Sequence, residues 1–308
     1  MDQNVRPKVK IILSTYNGER YIEELVESVC AQDYPEFRLI IRDDGSTDTS
    51  REILEKYETS RNVDIVYGQN LGVIKSFIEL LRMAGDDADY IAFCDQDDIW
   101  RKNKITRAVE QLGREVAADI PGLYFCRYTL VDEKKNVLGT SRAPLRRPSF
   151  SNALVQNIAS GCTMVINQKA RSLFIDHIPA NPLMHDWWVY LLVSAFGKVI
   201  YDPASTILYR QHRENIIGAK ASFLGKWRGR ASQFYERWGK RKITSQAIEF
   251  REIFTDMLPQ EKRDILDHFI SSQAKFTTRL SYAFFPEVYR QSRIDNMILR
   301  ILILFKMI

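Results

Sequence analysis

Cysteine is scarce and scattered: Cys30, Cys94, Cys126 and Cys162 are the full complement of 4, and no two stand at CxxC spacing. A disulfide framework and a structural zinc site are thereby excluded as the basis of the fold, and reduced, buried thiols are expected. No run approaches the roughly 20 uncharged apolar residues that a spanning helix needs. The opening Met1-Asp2-Gln3-Asn4 has no secretory character, so a cytoplasmic protein is expected. Internal repeats and low-complexity segments are also missing, which sets aside solenoids and disordered chains. No G-x-x-x-x-G-K-[ST] phosphate loop occurs, and no glycine-rich, Lys/Arg-bearing triphosphate loop follows the first apolar run.

What is present is a chain of 308 residues with 45% hydrophobic content, enough for one large domain, or one domain with an extension. Charge is unevenly spread. Residues 1–218 carry 27 Lys and Arg against 30 Asp and Glu, whereas residues 219–308 carry 17 against 9, so a mildly acidic body precedes a basic tail. In the first half, short apolar runs at residues 9–16, 37–43, 63–67 and 90–94 alternate with segments of helical period at 19–31, 47–57, 73–83 and 102–112. This alternation predicts βα units around a mainly parallel sheet. Further strands are expected at 123–131, 161–167 and 205–211, a polar turn at 132–136, a loop at 145–152 and an apolar helix at 186–196.

The ligands of such open sheets collect at the carboxyl ends of the strands, and three polar motifs fall there. The fourth run ends in Cys94-Asp95-Gln96-Asp97-Asp98-Ile99-Trp100. Three carboxylates within four residues repel one another unless a cation joins them, and hard oxygen ligands suit magnesium or manganese bridging phosphates. The plainer alternative is a solvated acidic turn in which Asp98 caps the next helix. The first run ends in Ser14-Thr15-Tyr16-Asn17-Gly18, where a nucleobase could stack on Tyr16. The second ends in Asp43-Asp44-Gly45-Ser46-Thr47, where a carboxylate can accept the imide N–H of uracil or thymine, or ribose hydroxyls.

Taken in this order and spacing, the motifs resemble family 2 glycosyltransferases of the GT-A fold, an α/β nucleotide-diphospho-sugar transferase fold with a mostly parallel central sheet flanked by helices. The resemblance runs from about residue 9 to about residue 218. Asp95–Trp100, Gly161-Cys162-Thr163-Met164 and His185-Asp186-Trp187-Trp188 are most similar to bacterial rhamnosyltransferases of polysaccharide assembly. It implies that Ser14, Tyr16 and Asp44 line the base and ribose pocket, that Asp95 approaches the ribose or sugar, and that Asp97 is the principal metal ligand. His212 would join the metal or touch the phosphates. Asp186 would be the base of an inverting transfer, taking the acceptor's proton. Gly161 and Cys162 would form the acceptor wall and Trp187 would stack on a sugar, with Trp188 in the core. The implied cofactor is Mn2+ or Mg2+. The implied donor is a nucleotide-sugar, dTDP-rhamnose first, with a UDP-hexose or UDP-N-acetylhexosamine as the alternative. The acceptor would be a glycan carried on a polyprenyl diphosphate. No processive-type Gln-x-x-Arg-Trp is present. A catalytically silent nucleotide-sugar-binding assembly subunit is the alternative from another class, and the joint presence of Asp97 and Asp186 weighs against it.

The tail, residues 219–308, is expected to be a basic, mainly helical extension. Lys220, Lys226, Arg228, Arg230, Arg237, Lys240, Arg241 and Lys242 alternate with Trp227, Phe234, Tyr235 and Trp238. Basic charge with interfacial aromatics suits an anionic membrane face, here the inner face of the plasma membrane, and packing on the body or a homo-oligomer contact is the alternative. No nucleic-acid motif accompanies the charge, so nucleic acid is not an expected partner.

Overall fold

A computed structural model describes residues 6–212 and 243–308. The strands β1 (Val9–Thr15), β2 (Phe37–Asp43), β3 (Val63–Tyr67) and β4 (Tyr90–Asp95) are parallel, in the order β3-β2-β1-β4. Thr15 pairs with Asp43 and Ser14 with Asp95, so these strands end level with one another and present their motifs along one rim. Ile11, Ile12 and Leu13 are all fully buried, as expected of a strand covered on both faces. The covering helices are α1 (Ile22–Cys30), α2 (Ser50–Glu55), α3 (Val73–Met83) and α4 (Lys104–Glu115).

Beyond β4 the sheet continues through the antiparallel β8 (Val165–Asn167), then β6 (Gly122–Val131), β9 (Lys198–Arg210) and the two-residue β5 (Ile99–Trp100); β7 (Val137–Thr140) pairs with β6 off this path. β6 and β9 run with β1–β4, while β5, β7 and β8 oppose them. The architecture is the expected α/β fold with a mostly parallel sheet.

Several local expectations change. The predicted strand at 161–167 begins instead as a 3-10 turn at Gly161–Thr163, and only Val165–Asn167 joins the sheet. The predicted loop at 145–152 contains α5 (Phe150–Ala153), capped by the Ser149 hydroxyl. α6 (Gln168–Asp176) had no sequence counterpart, although the Asn167 side chain caps it in an ordinary way. β9 starts at Lys198 rather than at 205. Pro203 argues against a strand there, but a register shift between Cys126 and Arg127 of β6 lets the pairing step from Asp202 to Ser205. Cys94, Cys126 and Cys162 are buried and unpaired as expected, while Cys30 is exposed.

The last described helices are α7 (His185–Phe196), α8 (Ile243–Phe254), α9 (Gln260–Ser272), α10 (Phe276–Phe284) and α11 (Arg293–Leu304). α7 is apolar nearly all round and correspondingly buried on every side. Phe250 of α8 closes it, with ring centroids 5.5 Å from Trp188, 5.9 Å from Phe150 and 4.7 Å from Phe254. Polar ties add direction: Leu183 N donates to Gln246 at 3.0 Å, and Lys262 donates to the Ala195 carbonyl at the end of α7. Residues 243–308 thus share one apolar core with the sheet. No helix among the described residues is long and apolar enough to cross a membrane. The expected boundary near residue 218 and the basic aromatic run at 219–242 lie outside the described residues.

Candidate active site

A cavity of about 860 Å³ opens over the carboxyl ends of the parallel strands. Ser14, Tyr16, Asp44, Asp95, Asp97, Gly161, Cys162, Asp186 and His212 all line it, although up to 198 positions separate them in the chain. Trp187 does not, which corrects its expected role. Trp187 is 5% exposed and its indole donates to the Ala153 carbonyl at 2.6 Å, so α7 points this ring, like Trp188, into the core instead of toward a sugar.

At the β1 and β2 ends the polar groups are held by one another. Gln96 is the clamp: its carbonyl oxygen accepts from the Thr15 hydroxyl at 2.7 Å and from Tyr16 N at 2.8 Å, and its amide donates back to Tyr16 O at 3.2 Å. Tyr16 is left 45% exposed, free to meet a flat ligand. Asn17, at φ 49°, accepts from Thr47 N at 2.9 Å and so ties the two loops together. Gly45 turns at φ 83°, and a side chain there would meet Asn70 N at 2.8 Å. Asp44 forms a buried ion pair with Arg42, and its two oxygens also accept from Leu71 N and Gly72 N, each at 2.9 Å. This carboxylate therefore orders the loop after β3 as well as facing the cavity. The Ser14 hydroxyl meets that of Ser76 on α3 at 2.6 Å.

At the β4 end the three carboxylates separate by depth. Asp97 meets His212, just beyond β9, with 2.7 Å between Oδ2 and Nε2. A carboxylate oxygen and an imidazole nitrogen brought together at a cavity wall fit a divalent cation of intermediate hardness. Asp98 is fully buried and accepts from Arg210 N at 3.4 Å; Asn103, not Asp98, precedes α4, so the capping alternative fails. Ligand atoms of Asp95, Asp98 and Cys162 lie within 4.8 Å of one another. That deeper group is the poorer cradle, because burial pushes the Asp98 carboxyl and the Cys162 thiol well above their ordinary values, and each must give up its proton to bind a cation. Asp95 is pushed up to about 7 by burial and by the charges of Asp97 and Asp186.

Asp186 opens α7 across the cavity. It is 6% exposed; its Oδ2 accepts from Gly161 N at 3.0 Å and its Oδ1 from Trp187 N at 2.7 Å. Burial outweighs these bonds and raises its pKa to about 6. A carboxylate so poised is mostly ionised at neutral pH and still basic enough to take a proton. Gly161 has a positional reason: a Cβ there would sit 3.4 Å from both the Asp186 Cβ and the His185 Nε2.

Sequence reading missed Gln96, Arg42 and His185. The first two bond partners far along the chain, so only the register of β1, β2 and β4 reveals them. His185 carried a signal, a polar residue directly before the proposed base on an otherwise apolar helix.

Comparison with known proteins bears on the family and the fold. The family model described as glycosyl transferase family 2 matches residues 10–173. A dTDP-rhamnosyl transferase, RfbG of Shigella flexneri, is 31% identical over 247 residues, covering 76% of this chain and 83% of that protein. A putative teichuronic acid biosynthesis glycosyltransferase, TuaG of Bacillus subtilis, is 31% identical over 54% of this chain and 64% of its own length. Among solved structures, TarS residues 1–349 of S. aureus in complex with UDP-GlcNAc superimposes with a TM-score of 0.61 at 18% identity, covering 96% of this chain and 81% of that one. The mannosyltransferase PcManGT of Pyrobaculum calidifontis, in complex with GDP-Man and Mn2+, gives a TM-score of 0.55 at 17% identity over 92% of this chain and 76% of that one.

Proposed function

The chain belongs to glycosyl transferase family 2, and from that premise we propose that it is an inverting, divalent-metal-dependent enzyme that moves L-rhamnose from dTDP-rhamnose onto a lipid-linked intermediate of a cell-surface polysaccharide. The observation that carries the chemistry is Asp186, a buried carboxylate oriented by Gly161 N–H and facing the same cavity as Asp95, Asp97 and His212. The acceptor hydroxyl attacks the anomeric carbon, its proton passes to Asp186, and the bond from that carbon to the nucleoside diphosphate breaks on the opposite side. Asp97 and His212 would hold the cation, which when bound supplies positive charge against the departing diphosphate. Ser14, Tyr16 and Asp44 bind the nucleoside, Asp95 the ribose or sugar, and Gly161 and Cys162 bound the acceptor.

Two observations favour rhamnose over a UDP-hexose. The relative from Shigella flexneri is named for dTDP-rhamnose. Val73, Phe77 and Met184 also give one corner of the cavity an apolar lining suited to a 6-deoxy sugar, which carries a methyl where a hexose carries a hydroxymethyl. The test is turnover on a rhamnose- or GlcNAc-terminated lipid-linked acceptor, with dTDP-rhamnose and UDP-sugars offered in turn, with and without chelator. Rhamnose transfer abolished by chelator is expected; transfer from a UDP-sugar alone would replace the donor, and turnover of none would favour a silent assembly subunit.

The acceptor reading extends to a membrane contact at the cytoplasmic face. α10 and α11 expose Phe276, Phe284, Met297, Ile301 and, just past them, Phe285 at 86% and Phe305. Lys275, Arg279, Arg293, Arg300 and Lys306 accompany them. Apolar anchors with basic neighbours suit anionic lipid. Binding of the full chain to anionic vesicles should fall in the Phe285→Asp, Met297→Asp double variant; unchanged pelleting would remove this face from the proposal, and a change in oligomeric state would reassign it.

A further inference from the structure

His185 is a buried polar group that the transfer chemistry leaves unused. Its side chain is almost entirely buried, with the residue 3% exposed, and neither ring nitrogen has a hydrogen-bond partner among the described residues. The ring is nevertheless well placed. It stacks on Phe77 at a centroid distance of 4.0 Å and an interplanar angle of 17°, with Phe93 5.8 Å away, and it forms part of the cavity wall. Two aromatic rings thus fix its orientation and supply no hydrogen bond. An imidazole held dry without partners costs stability, because its lost hydration is not replaced. A satisfied core histidine would bond a carbonyl or carboxylate; this one bonds neither among the described residues, and its ring belongs to the wall of a cavity.

Position says what the missing partner is. Phe77 follows Ser76 on α3, and Ser76 bonds both Ser14 and Arg42, so this helix borders the proposed nucleoside subsite. On its other side His185 precedes Asp186, and both lie against Gly161. The group lying between a nucleoside diphosphate and the base that activates the acceptor is the transferred sugar. We infer that His185 is a donor-recognition residue whose ring nitrogens hydrogen-bond hydroxyls of the transferred sugar, a role that rests on the glycosyl-transfer reading above.

The charge state agrees with this role. Burial holds the imidazole down at about 3, so at working pH it is neutral, with one nitrogen donating and the other accepting. It reads hydroxyls and does not shuttle protons, which leaves Asp186 as the base.

The test compares nucleotide with nucleotide-sugar. Binding of dTDP and of dTDP-rhamnose to the full chain is measured by calorimetry for the wild type, His185→Phe and His185→Asn, together with each protein's Tm. Phenylalanine keeps the stack and removes both polar atoms; asparagine keeps a donor and an acceptor. The expected result is unchanged affinity for dTDP, a loss of about 10- to 100-fold for dTDP-rhamnose in His185→Phe, partial recovery in His185→Asn, and a Tm in His185→Phe at or above that of the wild type. A His185→Phe protein that binds dTDP-rhamnose as the wild type does would overturn the assignment, as would one that loses affinity for dTDP and dTDP-rhamnose equally. If wild-type protein gains nothing from the rhamnosyl group, the donor reading fails separately, and UDP with UDP-GlcNAc takes the same comparison; a sugar increment that survives His185→Phe there equally overturns the role.

Discussion

The strand-end half of the molecule and its helical half use similar residues to opposite ends. At the ends of β1, β2 and β4, polar side chains crowd together at a rim, held by ties such as Gln96 to Tyr16 and Asp97 to His212. Around α7, aromatic and aliphatic side chains close on one another, and Trp187 and Trp188 disappear into that packing. Asp186 and His185 stand where the two meet, at the first turn of the buried helix and at the cavity wall. The polar rim offers the groups proposed to act on a ligand, and the helical half sets where Asp186 stands. Changes at the rim should therefore cost activity and leave folding intact, while changes around α7 should cost folding first.

The largest separation is expected from Asp186→Asn. Loss of a general base should lower kcat by about 10²- to 10⁴-fold, while dTDP-sugar binding and Tm stay near wild type; an active variant would place the base elsewhere. Phe250→Ala tests the other half: removing a ring that touches Trp188, Phe150 and Phe254 should cost about 3–5 kcal/mol in denaturant unfolding, and a cost below about 1 kcal/mol would mean that α8 does not support α7. For the same reason, deletion of residues 219–308 would uncover the core around α7, so point substitutions on α10 and α11 are the sounder probe of membrane contact.

Asp97→Asn should lower turnover about a hundredfold and abolish the Mn2+-induced rise in Tm expected of the wild type; an undiminished thermal shift would move the cation to the deeper Asp95, Asp98 and Cys162 group. The smallest effect is in pH. Burial raises the Asp186 pKa to about 6, so the protonated, inactive form accumulates as pH falls through that value. The kcat/KM should be nearly flat above pH 7 and fall about tenfold per unit below pH 6; the same inflection in the residual activity of Asp186→Asn would assign it to another group.

Much of the sheet was legible because fully buried parallel strands read as short continuous apolar runs between amphipathic helices, which is how β1 to β4 and α3 were found. Elements with weak local pattern were not. Among the described residues β5 has two residues and pairs with β9, β7 is mostly exposed and pairs with β6, and the first half of β9 depends on a bulge that accommodates Pro203. Trp187 failed for a related reason: beside an Asp at a cavity, a Trp reads as a sugar platform, and only its bond to the Ala153 carbonyl identifies it as core.

By itself the sequence determined the chemistry available at the rim: which carboxylates, hydroxyls and aromatics stand at the ends of which strands, since local pattern sets element type and strand ends set position. The tertiary structure decided how those groups differ. Asp97 shares the cavity with His212 while Asp98, one residue on, is buried beneath it; the packing around α7 removes water from Asp186, whose pKa is raised, and from His185, which has no hydrogen-bond partner among the described residues. Burial and long-range contact are properties of the assembled chain, and they set acids of the same kind apart: Asp97 at the cavity wall beside His212, Asp98 beneath it with a raised pKa, and Asp186 across the cavity on a buried helix.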